Sequence, residues 1–409
     1  CYDKMNIEKN KSSILEGYFM ENIQKRIGII GGGQLGKMMI QEAKKMGFYV
    51  MVLDPAEKCP AHTLVDEHII AAFDDKKAIR FLAENTDVVT YEFEHIDADI
   101  LQKLEQEGKK IYPTAKSLKV IQNKYTQKKL LLEHGLPTPE FCAVFSQEDM
   151  KQAGEKYGFP FMLKSCTGGY DGKGNFVIEK EQDIPKAYEA LGNGNLDIMA
   201  EKFFPFIMEI SVLACRGING DIQVYTVEAN IHKDSILDET KVPANISKLK
   251  TQKAMDLAKR VMEVFEGVGM FCVEMFVDKQ GNVLVNEVAP RPHNSGHYTI
   301  EACVTSQFEQ HIRAITGLPL GSPELLKPVV MRNLLGEQNS AGKSCVLGAD
   351  EALAISGVFL HIYGKEESRP KRKMGHITVI ADSVEQAEEK AEKAKNAIKI
   401  YGESKSFLE

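Results

Sequence analysis

Arg26–Ile30 is a short apolar run that ends in Gly31-Gly32-Gly33-Gln34-Leu35-Gly36, and a helical pattern follows through about Met46. Phe48–Leu53 is a second buried run, closed by Asp54-Pro55. A strand, a glycine turn, a helix and a second strand of these lengths pack as a parallel pair crossed by the helix. Short runs at Ile69–Ala72 and Asp87–Thr90, with a helix at about Asp75–Glu84 between them, continue the alternation. The spacing therefore predicts a Rossmann-like parallel sheet over about 21–120.

The pattern then changes. A helix is expected over Asn123–His134, stopped by Gly135 with Pro137 and Pro139 beyond it. After it come longer strands with polar turns: Phe161–Lys164, Phe176–Ile178, Asp197–Glu201, Met208–Arg216, Gln223–Glu228, Phe271–Val277 and Val283–Val288. Runs of strands with few helices predict an α+β domain over about 121–320, ending at Gly317-Leu318-Pro319-Leu320-Gly321-Ser322-Pro323. The remainder, 321–409, mixes the strands Val329–Leu334, Gly357–Tyr363 and Gly375–Ile380 with a late helix. There, Ser383 and Gln386 stand as a capping box. The fold class is thus mixed α/β and α+β, in three domains. Residues 1–20 are of mixed charge without an apolar h-region and are read as a leader or tag before the fold, with Met20 a candidate start.

Composition removes several classes of function. The formal charge is −7, the wrong sign for general binding to nucleic acid. No apolar stretch approaches the ~18–20 residues that span a bilayer, so no membrane partner is expected. The eight cysteines, Cys1, Cys59, Cys142, Cys166, Cys215, Cys272, Cys303 and Cys345, show no C-x-x-C spacing. That usage suits a reducing, cytoplasmic setting.

Five segments could carry chemistry. Gly31-x-Gly33-x-x-Gly36 with Asp54 fits a dinucleotide fingerprint, and equally a helix N-terminus that holds another anion. Between two strands lies Lys164-Ser165-Cys166-Thr167-Gly168-Gly169-Tyr170-Asp171-Gly172-Lys173-Gly174-Asn175, a glycine-rich flap suited to phosphates, with Lys164 as a point charge at the strand end. Glu274 and Glu287 stand symmetrically about a turn centred on Gln280-Gly281, so a symmetric hairpin makes them cross-strand neighbours. Like charges so placed need compensation, and Mg²⁺ bound with nucleotide phosphates would supply it. Next comes Ala289-Pro290-Arg291-Pro292-His293-Asn294-Ser295-Gly296-His297, where Pro292 and Gly296 argue against a helical zinc pair of His293 with His297 and a catalytic loop is expected. Lastly, Lys365, Arg369, Lys371, Arg372 and Lys373 gather between two strands as an anion site, for which a phosphomonoester is the natural guest.

In this order the segments, together with Tyr91-Glu92-Phe93-Glu94-His95 and Asn286-Glu287, resemble the ATP-grasp superfamily. They are most similar to the N5-carboxyaminoimidazole ribonucleotide synthetase family, over about 26–400. The resemblance implies an enzyme of purine biosynthesis that uses ATP to join bicarbonate to aminoimidazole ribonucleotide through carboxyphosphate, and it implies a homodimer. By the same resemblance Lys124, Lys164, Gly169, Tyr170, Gly172, Gly174, Asn175, Glu201, Lys202, Phe203, Phe204, Glu209, His232, Asn286 and Glu287 would surround ATP, and Glu274 and Glu287 would hold Mg²⁺. Asp171, Lys173, Arg291 and His293 would be catalytic, and Gly33, Gln34, Leu35, Glu92, Tyr170, Lys365, Arg369 and Arg372 would bind the ribonucleotide. Two departures stand out: Lys371 replaces a usual glycine, and Lys173 a common arginine. A formate-dependent glycinamide ribonucleotide transformylase shares the nucleotide site and is the nearest rival. An NAD-dependent dehydrogenase leaves the acid pair and the flap without a task, and a non-catalytic nucleotide-binding regulator leaves a full ligand set idle.

Overall fold

The computed structural model describes residues 25–168, 174–192 and 197–403. The flap residues Gly169, Tyr170, Asp171, Gly172 and Lys173 lie outside the described residues.

The first sheet is parallel and four-stranded, in the order Glu67–Ile69, Tyr49–Leu53, Arg26–Ile30, Val88–Tyr91. The third strand sits a little earlier than the expected Ile69–Ala72. Its pairing is set by Leu53 opposite Ile69, after which Asp54 N–H takes the Ile69 carbonyl and the ladder ends. The helix Gln34–Lys45 buries Leu35, Met38, Met39, Ile40 and Ala43 against one face, and Lys76–Glu84 and Ala98–Gln106 cover the other.

A small antiparallel sheet follows, in the order Phe141–Val144, Ile198–Lys202, Phe161–Ser165, Asn175–Ile178. It is backed by the helices Gln147–Tyr157 and Ile184–Ala190. Facing it is the edge of a nine-stranded antiparallel sheet. That sheet runs Val283–Ala289, Gly269–Val277, Met208–Arg216, Glu228–Lys233, Ile236–Val242, Val329–Leu335, Lys373–Ile380, Val358–Ile362, with Ile222–Val224 paired to Met208–Arg216. The expected single strand Gln223–Glu228 is thus two strands. Between them the backbone leaves the ladder, and the Val227 carbonyl receives Ala244 N–H instead.

The central region is richer in helix than expected. Lys248–Phe265 places Ala254, Leu257, Ala258, Val261, Met262 and Phe265 on one face of the large sheet. Gln307–Thr316 lies against the other face and, through Phe308, Ile312 and Ile315, against the first domain. The strands after residue 320 do not form a sheet of their own: Val329–Leu335 pairs with Ile236–Val242 and carries the large sheet onward. Among the described residues, Gly342–Leu347, Glu367–Ser368 and Lys399–Glu403 form a separate three-stranded sheet.

Candidate active site

The glycine turn after the first strand is occupied by a carboxylate of the protein itself. Gly33 N–H and Gly36 N–H each donate to Glu92, at 2.6 Å to Oε1 and Oε2, and Gly32 N–H donates to Asp54 Oδ2 at 2.9 Å. A side chain at 31, 33 or 36 would collide with Glu92 or with the Gly31 carbonyl. The glycines therefore admit Glu92 to the helix N-terminus, where a dinucleotide would put its pyrophosphate. Burial raises the Glu92 carboxyl above its ordinary range, against the pull of the two amides. Gln34, the next residue, accepts from Lys365 Nζ at 2.9 Å through Oε1, and Lys37 donates to the Tyr363 carbonyl at 3.0 Å. The first glycine loop and the late basic segment are thus one surface. Leu35 is in the apolar core and can face that surface only through its backbone.

Lys365 also donates to the Lys373 carbonyl at 2.6 Å. Burial, then the Arg372 charge, lower its ammonium to about 8. Arg372 donates to the Glu367 carbonyl at 2.6 Å, and Arg369 is exposed beside it. Lys371 stands at φ +63°, a left-handed conformation that glycine adopts without strain. The lysine follows the path a glycine would take.

The second half of the site lies between the small sheet and the edge of the large one. Glu274 and Glu287 are opposite each other in the ladder. The route to that register differs from the expected symmetric turn. The hairpin closes through Asp278–Asn282 with Val277 opposite Val283, and a bulge at Asn286 then restores the Glu274–Glu287 pairing. Helix Lys124–Glu133 is fastened to this strand by Gln127, which donates to the Val288 carbonyl at 3.0 Å and accepts from Val288 N–H at 2.9 Å. One turn earlier on the same helix, Lys124 is ion-paired with Glu287. Burial works against ionising Glu287, but Lys124 outweighs it and holds the carboxyl below its usual range. Among the described residues no ammonium group pairs with Glu274, and burial and then the Glu287 charge push it up to about 7.

Across the cleft, Lys164 donates to Glu201 Oε1 at 2.6 Å and reaches Asn286 Oδ1 at 3.4 Å. Lys128 pairs with Glu201 Oε2 at 2.7 Å. Burial opposes the Glu201 charge, yet the two ammonium groups take its carboxyl down to about 2. Lys128 was not singled out from the sequence, although its i, i+4 spacing from Lys124 is the signal that would find it. His232 Nδ1 lies 2.7 Å from Glu209 Oε2, and that carboxylate outweighs burial and raises the imidazole. Phe204 stacks on Phe276 at 6.2 Å and Phe203 is exposed. Lys202 turns to solvent, where it pairs with Glu140 at 2.7 Å, so only its backbone can face the cleft. Gly174 and Asn175 begin the return strand, with Asn175 opposite Lys164.

The Arg291–His297 loop closes the site from below. Arg291 Nε pairs with Glu94 Oε1 at 2.8 Å, and His293 Nε2 lies 3.6 Å from Glu274 Oε1. His297 is buried against Phe308, Tyr363 and His376, away from any metal role with His293. Among the described residues no group of three or more histidine, cysteine or acidic side chains forms a metal cage. Two opposed carboxylates, only one of them paired with Lys124, do fit Mg²⁺ shared with nucleotide phosphates, because such sites take only one or two protein carboxylates.

Known proteins match this chain along its length. Residues 24–122 match the ribonucleotide synthetase preATP-grasp domain, 129–308 the ATP-grasp domain, and 329–390 the phosphoribosylaminoimidazole carboxylase C-terminal domain. N5-carboxyaminoimidazole ribonucleotide synthase of Bacillus subtilis (strain 168) is 45% identical over 353 residues, covering 86% of this chain and 90% of that protein. The crystal structure of N5-carboxyaminoimidazole ribonucleotide synthetase from Thermotoga maritima is 49% identical, with a TM-score of 0.86, over 93% of this chain and 100% of that one. The Aspergillus clavatus N5-carboxyaminoimidazole synthase, solved with ADP and 5-aminoimidazole ribonucleotide, is 36% identical with a TM-score of 0.85, over 92% and 99%. With identity this high, coverage this complete and both halves of the site present, the chain belongs to the N5-carboxyaminoimidazole ribonucleotide synthetase family of ATP-grasp enzymes.

Proposed function

We propose that the protein carboxylates 5-aminoimidazole ribonucleotide with bicarbonate, spending ATP through carboxyphosphate and releasing ADP and phosphate, in purine biosynthesis. The observation that carries this reading is the Glu274–Glu287 pair on the large sheet, facing Lys164 of the small sheet across a cleft with Lys124 at its edge. Phosphoryl transfer needs positioning and charge neutralisation more than covalent help. Lys124 and Lys164 would neutralise the ATP phosphates, with Glu209 and His232 at the ribose end and Phe203–Phe204 beside the base. Glu274 and Glu287 would hold Mg²⁺, which supplies charge neutralisation at the transferring phosphoryl group.

Arg291, fixed by Glu94, would present its guanidinium to bicarbonate or carboxyphosphate, with His293 beside it. Asp171 and Lys173 are assigned to the reaction on the family resemblance alone, as are Gly169, Tyr170 and Gly172 to the flap. Lys365, Arg369 and Arg372 would take the ribonucleotide phosphate at the surface shared with Gly33, Gln34 and Glu92. The homodimer rests on the resemblance, and a cytoplasmic setting on the resemblance and on the cysteines, of which the seven among the described residues are unpaired. No helix of the described residues is long and apolar enough to cross a membrane.

ADP formation measured with aminoimidazole ribonucleotide, with and without bicarbonate, tests the reading when product is detected alongside. Bicarbonate-dependent product formation is expected. Carboxylation-independent formylation of glycinamide ribonucleotide would favour the transformylase instead.

A further inference from the structure

Helix Gln307–Thr316 carries no residue of the site described above, yet two of its side chains hold pieces of that site. Gln307, its first residue, is fully buried and grips the backbone of His293 on both sides. Its Oε1 accepts His293 N–H at 2.8 Å, and its Nε2 donates to the His293 carbonyl at 2.7 Å. The Gln307 N–H donates to Thr299 Oγ1 at 2.9 Å, and that hydroxyl donates to the Gly296 carbonyl at 2.7 Å. A Cβ at Gly296 would lie 2.6 Å from Gln307 Oε1, so glycine there admits the amide to the loop. A side-chain amide that satisfies both backbone groups of one residue leaves neither unpaired and fixes the path of the loop.

One turn along, His311 is fully buried and spans two domains. Met270 N–H donates to its Nδ1 at 3.0 Å, and its Nε2 lies 2.8 Å from Thr90 Oγ1. An amide N–H can only donate, so the ring proton is on Nε2 and is given to the Thr90 hydroxyl. Met270 belongs to the strand that carries Glu274, and Thr90 to the strand Val88–Tyr91, which leads directly into Glu92. Phe308, Ile312 and Ile315 add apolar packing on the first domain. The helix therefore joins three site-bearing segments: the His293 loop, the Glu274 strand and the strand that delivers Glu92.

We propose that Gln307 and His311 are positioning residues, which through one rigid helix fix the His293 loop relative to the Glu92 strand. This rests on the reading above, in which bicarbonate is activated beside Arg291 and His293 while the ribonucleotide is held on the Glu92 side. Carboxyphosphate that does not meet the amine adds water and returns to bicarbonate and phosphate, so ATP becomes ADP without product. A misplacement of about 1 Å between the two sides costs roughly 100-fold in the joining step. Phosphoryl transfer, confined to the nucleotide cleft, is spared.

The test measures ADP released per carboxylated product in the full-length enzyme, with saturating ATP, bicarbonate and aminoimidazole ribonucleotide. Gln307→Leu should lower product formation by up to about 100-fold and ADP formation much less, so the ratio rises while KM for ATP hardly moves. Thr90→Val removes only the hydroxyl that His311 reaches. It should raise the ratio by a smaller factor, and it decides alone where Gln307→Leu does not fold. Gln310 is the control, because from the same helix it clamps the N–H and carbonyl of Gly321, outside the site, at 2.7 and 2.8 Å. Gln310→Leu should lose stability and keep the parental ratio, since loss of folded enzyme lowers ADP and product together. A parental ratio in Gln307→Leu or Thr90→Val, or an equal rise in Gln310→Leu, would overturn the proposal. A parent that forms no carboxylated product would overturn the reading beneath it, and the proposal with it.

Discussion

The two walls of the nucleotide cleft solve the problem of buried charge in opposite ways. On the small sheet, Glu201 is held by Lys128 and Lys164, each oxygen with its own ammonium group. On the large sheet, Glu274 and Glu287 share one cation, Lys124, and it sits on Glu287. The first cluster has one positive charge more than it needs and the second one negative charge more. Paired charge of the first kind is structural, because removing a partner strands the others in a medium that cannot solvate them. Open charge of the second kind costs folding energy and is explained by what binds there. The basic loop is a third case: Lys365 and Arg372 stay lowered even though Glu92 acts on the one and Glu367 on the other, because burial and the neighbouring cations outweigh those carboxylates.

The comparison is most exposed to failure at Glu201. Glu201→Gln leaves Lys128 and Lys164 facing each other without an anion, and should lower stability by roughly 3–5 kcal/mol, read by denaturant unfolding. Glu287→Gln should do the reverse. Its pair with Lys124 is partly exposed and weakly stabilising, so the unfolding midpoint should hardly move, while turnover falls by about 10²–10³-fold even at saturating ATP. If Glu287→Gln unfolded the protein while Glu201→Gln left stability unchanged, the two walls would have been read the wrong way round.

How much of this was legible in advance depended on whether the partners lie close in the chain. The Glu274–Glu287 pairing follows from local spacing, although by a compensation: the five-residue turn leaves the register one residue short of the symmetric one, and the bulge at Asn286 adds that residue back. Helix Lys248–Phe265 was equally legible, with apolar residues at 254, 257, 258, 261, 262 and 265, and the expectation of a helix-poor region undervalued it. Lys128 reads as one more solvated helical lysine until strand Ile198–Lys202 brings Glu201 to it. The role of the first glycines was ambiguous for the same reason. Glu92, which fills their N–H groups, comes from the fourth strand of the sheet. Ser211 and Glu228 meet through the register of the large sheet, and Ser295 reaches Ser211 from the loop that follows its edge strand.

The basic loop sharpens the comparison through pH. An ordinary lysine stays mostly charged up to about pH 10, but Lys365 is lowered to about 8 by burial and by Arg372. Its ammonium is fully present below that value and lost above it. With a phosphorylated substrate, kcat/KM should fall about tenfold per pH unit above pH 8, since this parameter reports the free enzyme. The dephosphorylated nucleoside should be a poor substrate without that alkaline limb. Lys365→Ala should lower kcat/KM for the nucleotide by about one to two orders of magnitude and abolish the difference in pH profile. A limb that persists in the alanine variant would assign it to another group.

Lys371, six residues further on, should matter least, and the reason is the same distinction between closed and open charge. Its ammonium is committed to Asp234 at 2.9 Å on the protein surface, so it is not part of the open cluster. Its backbone is held left-handed, with its N–H donating to the Gly336 carbonyl at 3.3 Å. Lys371→Gly relieves that strain, a gain of about 1 kcal/mol, and loses an exposed ion pair worth about 0–1 kcal/mol. It also adds the unfolded-state freedom of a glycine, a loss of roughly 0.5–1 kcal/mol. The terms nearly cancel, so the unfolding midpoint should shift by only a few degrees in either direction. Because the loop keeps its path, the Arg372 contact with the Glu367 carbonyl survives, and kcat/KM for the nucleotide should stay close to the parental value. A tenfold fall in kcat/KM without a change in stability would move Lys371 from the closed set to the open one, and make the phosphate site wider than Lys365, Arg369 and Arg372.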